Sequence, residues 1–122
     1  MTMALKMFDT LGMVTLVTPP SMLLPEKISF TLINLREKEK NYFAKELNKL
    51  FPDDNVTVYI YSGSGVKGWL NQAMHYSKCV MVNKTDLPIW VLDELPTKNC
   101  YEINDDQTVE ESFKSFAESI KN

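Results

Sequence analysis

The sequence holds one histidine, two cysteines, one arginine and only four glycines among its 122 residues. A lone His75, with no CxxC or HxxxH spacing, excludes the usual zinc sites, which need three or four such ligands. Cys79 and Cys100 fall in or beside stretches that read as strands. That suits free thiols in a core better than a disulfide staple. Cys–His nucleophilic chemistry would need one of these thiols activated by His75, and the spacing argues neither for nor against it. There is no GxSxG turn to expose a serine nucleophile. No apolar run approaches the roughly 20 residues of a membrane-spanning helix. The first 24 residues have Lys6 as their only basic side chain and are broken by Asp9 and Pro19-Pro20. They match a cleaved export signal poorly, so the expected location is the cytoplasm.

What is present supports a folded domain. With 44% hydrophobic and 24% charged residues, the composition excludes disordered and collagen-like classes. The length fits one domain with one sizeable core. Residues 1–10 are set apart as a flexible N-terminal segment.

The net charge of −3 is unevenly spread. Residues 1–85 carry ten basic and seven acidic side chains, whereas residues 86–122 carry three and nine. The densest basic stretch, Arg36 to Lys40, alternates in sign and reads as a solvated helix face. Direct nucleic-acid binding is therefore disfavoured. Twelve lysines and nine asparagines against one arginine carry the codon bias of an AT-rich genome.

Along the chain, hydrophobic period alternates between two and 3.6. Met13 to Val17 (MVTLV) reads as a strand stopped by Pro19-Pro20. Ile28 to Leu35 (ISFTLINL) is a second strand, its polar positions suggesting a place near an edge. Arg36 to Phe51 is helical, with an apolar stripe through Phe43, Ala44, Leu47, Leu50 and Phe51. Val56 to Tyr61 (VTVYIY) is apolar on both faces, as a strand covered on both sides should be. Val66 to Met74 returns to helical spacing, and Lys78 to Asn83 is again strand-like. Pro88 to Leu92 fits either a short helix opened by Asp86-Leu87-Pro88 or a strand. Asn99 to Ile103 is a short strand. Thr108 and Glu111 form a capping box, opening a helix whose core face is Val109, Phe113, Phe116, Ala117 and Ile120.

This order implies a small three-layer, Rossmann-like α/β domain of four to five mostly parallel strands with helices on both faces. The stretch from Thr18 to Glu26 is too short for a helical crossover, so the first strand is expected to pair antiparallel or to stand apart. Trp69 is placed on the half-buried flank of the core and Trp90 within it.

The one segment with a chemical mechanism attached is Ser62-Gly63-Ser64-Gly65-Val66-Lys67-Gly68, where a strand gives way to a helix. Unpaired amides at such a junction attract anions. Gly63 to Gly68 satisfies GxGxxG formally but is no P-loop, because Trp69 stands where Ser or Thr is required. In the binding reading, Ser62, Ser64 and the amides of Gly63 and Gly65 face the ligand. Lys67 stands at the rim, Asp86 lies across the crevice, and Tyr59 or Tyr61 stacks on a base. In the bland reading the same residues make only a tight turn and a helix cap. The adjacent acids Asp93-Glu94 and Asp105-Asp106 read as solvated caps.

The block Val56 to Asn83 combines the strand VTVYIY, a small polar loop, Trp69-Leu70 with Ala73, and Cys79 to Asn83. It resembles short accessory proteins of T-even-type tailed bacteriophages. The element Thr18-Pro19-Pro20-Ser21 and the lysine-rich, arginine-poor composition fit this. The resemblance implies a viral protein made in the host cytoplasm or carried in virions, and it brings no catalytic residue with it.

The expected function is that of a non-catalytic phage accessory or assembly protein, with a protein partner or a second copy as its target. Five methionines among the first 22 residues suit an adaptable contact surface. The alternative is a nucleotide- or nucleoside-binding domain, enzymatic or sequestering, using the Ser62–Lys67 loop. No metal, cofactor or membrane partner is expected.

Overall fold

The computed structural model describes residues 8–62 and 67–121. Six strands form one sheet: β1 (Phe8–Leu11), β2 (Val14–Val17), β3 (Ile28–Ile33), β4 (Val56–Tyr61), β5 (Cys79–Val82) and β6 (Cys100–Glu102). Their spatial order is β1-β2-β4-β3-β5-β6. Five strands run parallel, and β1 closes one edge antiparallel to β2. The small α/β, Rossmann-like architecture read from the sequence is the one observed, with one strand more than expected.

Strand period places alternate residues on opposite faces. Val56, Val58 and Ile60 of β4 enter one core cluster, and Tyr59 and Tyr61 enter the other. Two helices cover the first face: α1 (Glu37–Leu50) through Phe43, Ala44 and Leu47, and α4 (Val109–Lys121) through Phe113, Phe116 and Ile120. The second face is covered by α2 (Lys67–Tyr76) through Trp69, Leu70 and Ala73, and by α3 (Ile89–Glu94) through Val91. The ambiguous segment at Pro88 to Leu92 is thus helical from Ile89, with Pro88 as its N-cap. Thr108 and Glu111 make the expected reciprocal cap of α4, at 3.1 and 2.9 Å.

Three expectations are corrected. β2 pairs antiparallel only with β1 and does not stand apart from the parallel sheet: it lies parallel to β4, with Val14 beside Val56 and Val17 beside Tyr59. The crossover from β2 to β3 passes over β4 without a helix. Residues 18–27, extended at about 3.3 Å each, span up to roughly 33 Å. Returning the length of a strand and stepping two strand spacings sideways needs only about 22 Å. This segment is fastened to the second face by the Tyr59 hydroxyl, which donates to the Leu23 carbonyl, and by the Trp69 indole N–H, which donates to the Ser21 carbonyl. The expected edge strand β3 is central, between β4 and β5. Ser29 and Thr31 are buried there because Ser29 Oγ donates to the Tyr76 carbonyl and Thr31 Oγ1 shares a hydrogen bond with Ser77 Oγ. The tryptophans exchange roles, Trp69 being buried and Trp90 only partly so.

The strand β1 includes residues 8–10 of the segment expected to be flexible; the rest of that segment lies outside the described residues. Gly12 and Met13 turn the β1–β2 hairpin, and Gly12 has φ +60. A two-residue hairpin with positive φ at its first central position is glycine's own turn. A Cβ at Gly12 would also stand 2.5 Å from the Asn48 amide of α1, whose Oδ1 accepts the Met13 N–H at 3.0 Å.

Candidate functional site: a crevice at the carboxyl edge of the sheet

Adjacent strands β3 and β5 send their chains to opposite faces. β3 leads to α1 on the first face, and β5 leads to α3 on the second. Where neighbouring strands diverge in this way, the carboxyl ends of a parallel sheet leave a crevice, and ligands of open α/β sheets bind there. A crevice of about 520 Å³ opens at this point. Its walls come from four strand ends: Asn34 and Arg36 after β3, Ser62 after β4, Asn83, Thr85 and Asp86 after β5, and Asp105 after β6.

The walls are held by a hydrogen-bond network. Asn34 continues the ladder through its N–H to the Tyr61 carbonyl, and Asn83 does so through its N–H to the Ile33 carbonyl. The Asn34 amide, Nδ2, donates to the carbonyls of Asn83 and Thr85 at 3.0 and 2.9 Å, tying the β3 end to the β5 loop. Asn83 Nδ2 donates to Asp105 Oδ1 at 2.9 Å, and its Oδ1 accepts the Thr85 N–H at 3.0 Å. Asn34 and Asp86 both have positive φ, at 63 and 59. Asn and Asp tolerate this left-handed region better than other residues with a Cβ.

Arg36 begins α1. Its backbone N–H and Nη2 both reach Glu39, at 2.7 and 3.2 Å, and Glu39 is itself buried. Glu39 first, and Asp105 more weakly, hold the Arg36 guanidinium above its ordinary value. A second depression, between the starts of α1 and α4, shares Arg36 and Asp105 with the first and adds Lys38 and Tyr42.

Of the residues singled out in the sequence, Ser62 and Asp86 both line the crevice. Gly63, Ser64 and Gly65 lie outside the described residues. The Lys67 ammonium sits 3.7 Å from Glu94 of α3. The stacking role drawn for Tyr59 and Tyr61 is corrected, because both rings are fully buried. Burial pushes the Tyr59 phenol up to about 12. Tyr61 packs between Trp69 and Trp90, with ring centroids 6.4 and 6.1 Å away, and its hydroxyl has no partner among the described residues. Sequence reasoning missed Asn34, Arg36, Asn83 and Asp105. A signal was available in Asn34, Ser62 and Asn83, the polar residues that follow β3, β4 and β5, but its meaning depends on strand order.

Cys79 packs in the first core cluster and Cys100 against the second, so the two thiols lie on opposite faces. Burial pushes both thiols up, away from nucleophilic thiolate. Among the described residues, no group of three or more His, Cys, Asp or Glu side chains is placed to hold a metal ion. No described helix is long and apolar enough to cross a membrane. Compared with known proteins, the chain matches no family model, no curated sequence and no solved structure.

Proposed function

We propose that this domain binds a small polar ligand of the nucleoside or nucleotide class in the crevice between the β3 and β5 ends. The observation that carries this reading is the convergence of Asn34, Ser62 and Asp86 on one crevice at the carboxyl ends of β3, β4 and β5. The deciding experiment is a thermal-shift screen with nucleosides, mononucleotides, dinucleotides and cyclic nucleotides. A ligand at one hundred times its Kd stabilises the folded chain by about 2.7 kcal/mol. A hit that Ser62→Ala or Asp86→Asn weakens supports the reading. A screen without a hit, or hits indifferent to both substitutions, removes it.

A second reading, an accessory or assembly role through protein contacts, is favoured by α3. Ile89 is 74% exposed and Leu92 37%, one turn apart on the outer side of that helix. Exposed apolar side chains grouped in this way suit a protein contact. The phage resemblance of the Val56 to Asn83 block agrees with such a role. Light scattering and partner capture with Ile89→Lys test it; unchanged behaviour in both counts against α3 as a contact.

A further inference from the structure

Among the described residues the sheet ends at β6. The Val80 N–H donates to the Asn99 carbonyl and the Ile103 N–H to the Val82 carbonyl, at 2.9 and 2.8 Å. Backbone direction alternates along a strand, so Asn99, Tyr101 and Ile103 address β5, while Cys100 and Glu102 turn N–H and C=O away from the sheet. No hydrogen bond among the described residues occupies these outward groups. Glu102 is exposed and Cys100 partly so, which leaves the edge open to an incoming chain. An unpaired edge is a template for another strand. With only two outward residues, backbone bonds alone hold such a strand weakly, and the side chains beside the edge must select it.

Two features do so. A groove between β6 and α3 is lined by Leu92, Leu95, Pro96, Cys100 and Glu102, and Leu92 is an exposed apolar side chain. Glu102 has only Lys84 near it, at 3.8 Å, a loose surface pair that leaves the carboxylate open. The elements around the edge, α3, β6 and α4, belong to the residues 86–122 that carry nine acidic and three basic side chains. That excess attracts a basic chain and opposes a second copy of this one, which would bring two acidic halves together.

We infer that β6 accepts an extended, basic peptide segment of a partner protein as an added strand. An apolar side chain opposite Cys100 enters the groove, and a Lys or Arg two positions away meets Glu102. Residues opposite one another share a face, and positions two apart return to it. The inference rests on the protein-contact reading above and adds a second surface and a partner chemistry to it.

The test is an NMR titration of the isotope-labelled full chain with the capped peptide TKTLTKT, taken to millimolar concentration. Its lysines stand two positions either side of leucine and so serve both strand directions. The expected result is saturable shifts centred on the amides of Cys100 and Glu102. TETLTET and TKTSTKT should each bind about tenfold more weakly, through lost charge pairing and lost apolar burial respectively. Glu102→Pro removes an outward N–H and the carboxylate but no bond to β5, so it should abolish binding with thermal unfolding unchanged. Glu102→Lys keeps every backbone group and should turn the preference toward TETLTET. No saturable shift at these amides, or binding that survives Glu102→Pro, would overturn the added strand. Equal binding of TETLTET and TKTLTKT would overturn the basic partner. Concentration-dependent shifts of the same amides without peptide would make a second copy the occupant and overturn the peptide. Each of these leaves the outer side of α3, tested by Ile89→Lys, as it stands.

Discussion

The two faces of the sheet are closed by different means. On the face of α1 and α4 the seal is hydrocarbon. Phe43 and Phe113 meet edge-to-face at 4.9 Å, and Phe30 and Phe116 do so at 5.4 Å, with Tyr42 and Tyr101 at the border. On the opposite face the aromatic rings are Tyr59, Tyr61, Trp69, Tyr76 and Trp90, and each carries a polar atom. Helices satisfy their own backbone, so they can be laid on a sheet by apolar contact alone. Part of the second face is covered by the irregular 18–27 crossover, whose carbonyls need donors from elsewhere. Tyr59 and Trp69 supply them from beneath.

The largest effect is expected on the hydrocarbon face. Phe116 is fully buried and touches rings from β3, β6, α1 and α4. Phe116→Ala should cost about 3–5 kcal/mol in urea unfolding followed by circular dichroism. A cost near 1 kcal/mol would mean that the cluster closes around the gap. Asn34 comes next, at the crevice between the two faces. Asn34→Ala loses two hydrogen bonds and puts a less tolerant residue at positive φ, so about 2–4 kcal/mol should be lost. Asn34→Gly should recover roughly 1 kcal/mol of that, since only the strain is relieved. Equal losses for the two variants would show that the backbone conformation carries no cost.

Trp69→Phe keeps most of the apolar ring but strands the Ser21 carbonyl. It should cost about 1–3 kcal/mol and speed proteolysis between residues 18 and 25. Unchanged cleavage there would show that the crossover is not held by this bond. The smallest effects separate the two tyrosines. Tyr59→Phe should lose about 1 kcal/mol with its bond to Leu23, whereas Tyr61→Phe removes an unpartnered hydroxyl and should be neutral or slightly stabilising. Tyr59 also has a pH signature. Below pH ~10 the folded and unfolded chains both keep this proton. Between about 10 and about 12 only the unfolded chain releases it, so stability falls as pH rises, and Tyr59→Phe should abolish that share of the alkaline loss.

The first face was readable from sequence because long amphipathic helices display their buried stripe. Phe43, Ala44 and Leu47 of α1 and Phe113 and Phe116 of α4 are all buried as the 3.6 period indicates. The second face was less so. Residues 18–27 have no period, and the parallel placement of β2 depends on an extended chain doing a helix's work. The β1 hairpin was marked only by Gly12, a turn signal whose meaning depends on Asn48, 36 positions further on.

By itself, the sequence determined five of the six strands and the three long helices, and that strands such as β4 are covered on both sides; β1 and the helical state of α3 it left open. Those properties are local: they follow from side-chain period, caps and proline positions within a dozen residues. Strand order was a tertiary decision. The placement of β3 between β4 and β5 makes it central and sets its end beside that of β5. The crevice follows from that order, because Asn34, Ser62, Asp86 and Asp105 meet only when four strand ends are brought level. No pattern within any one segment records which neighbours a parallel strand will have, since both of its sides offer the same backbone groups.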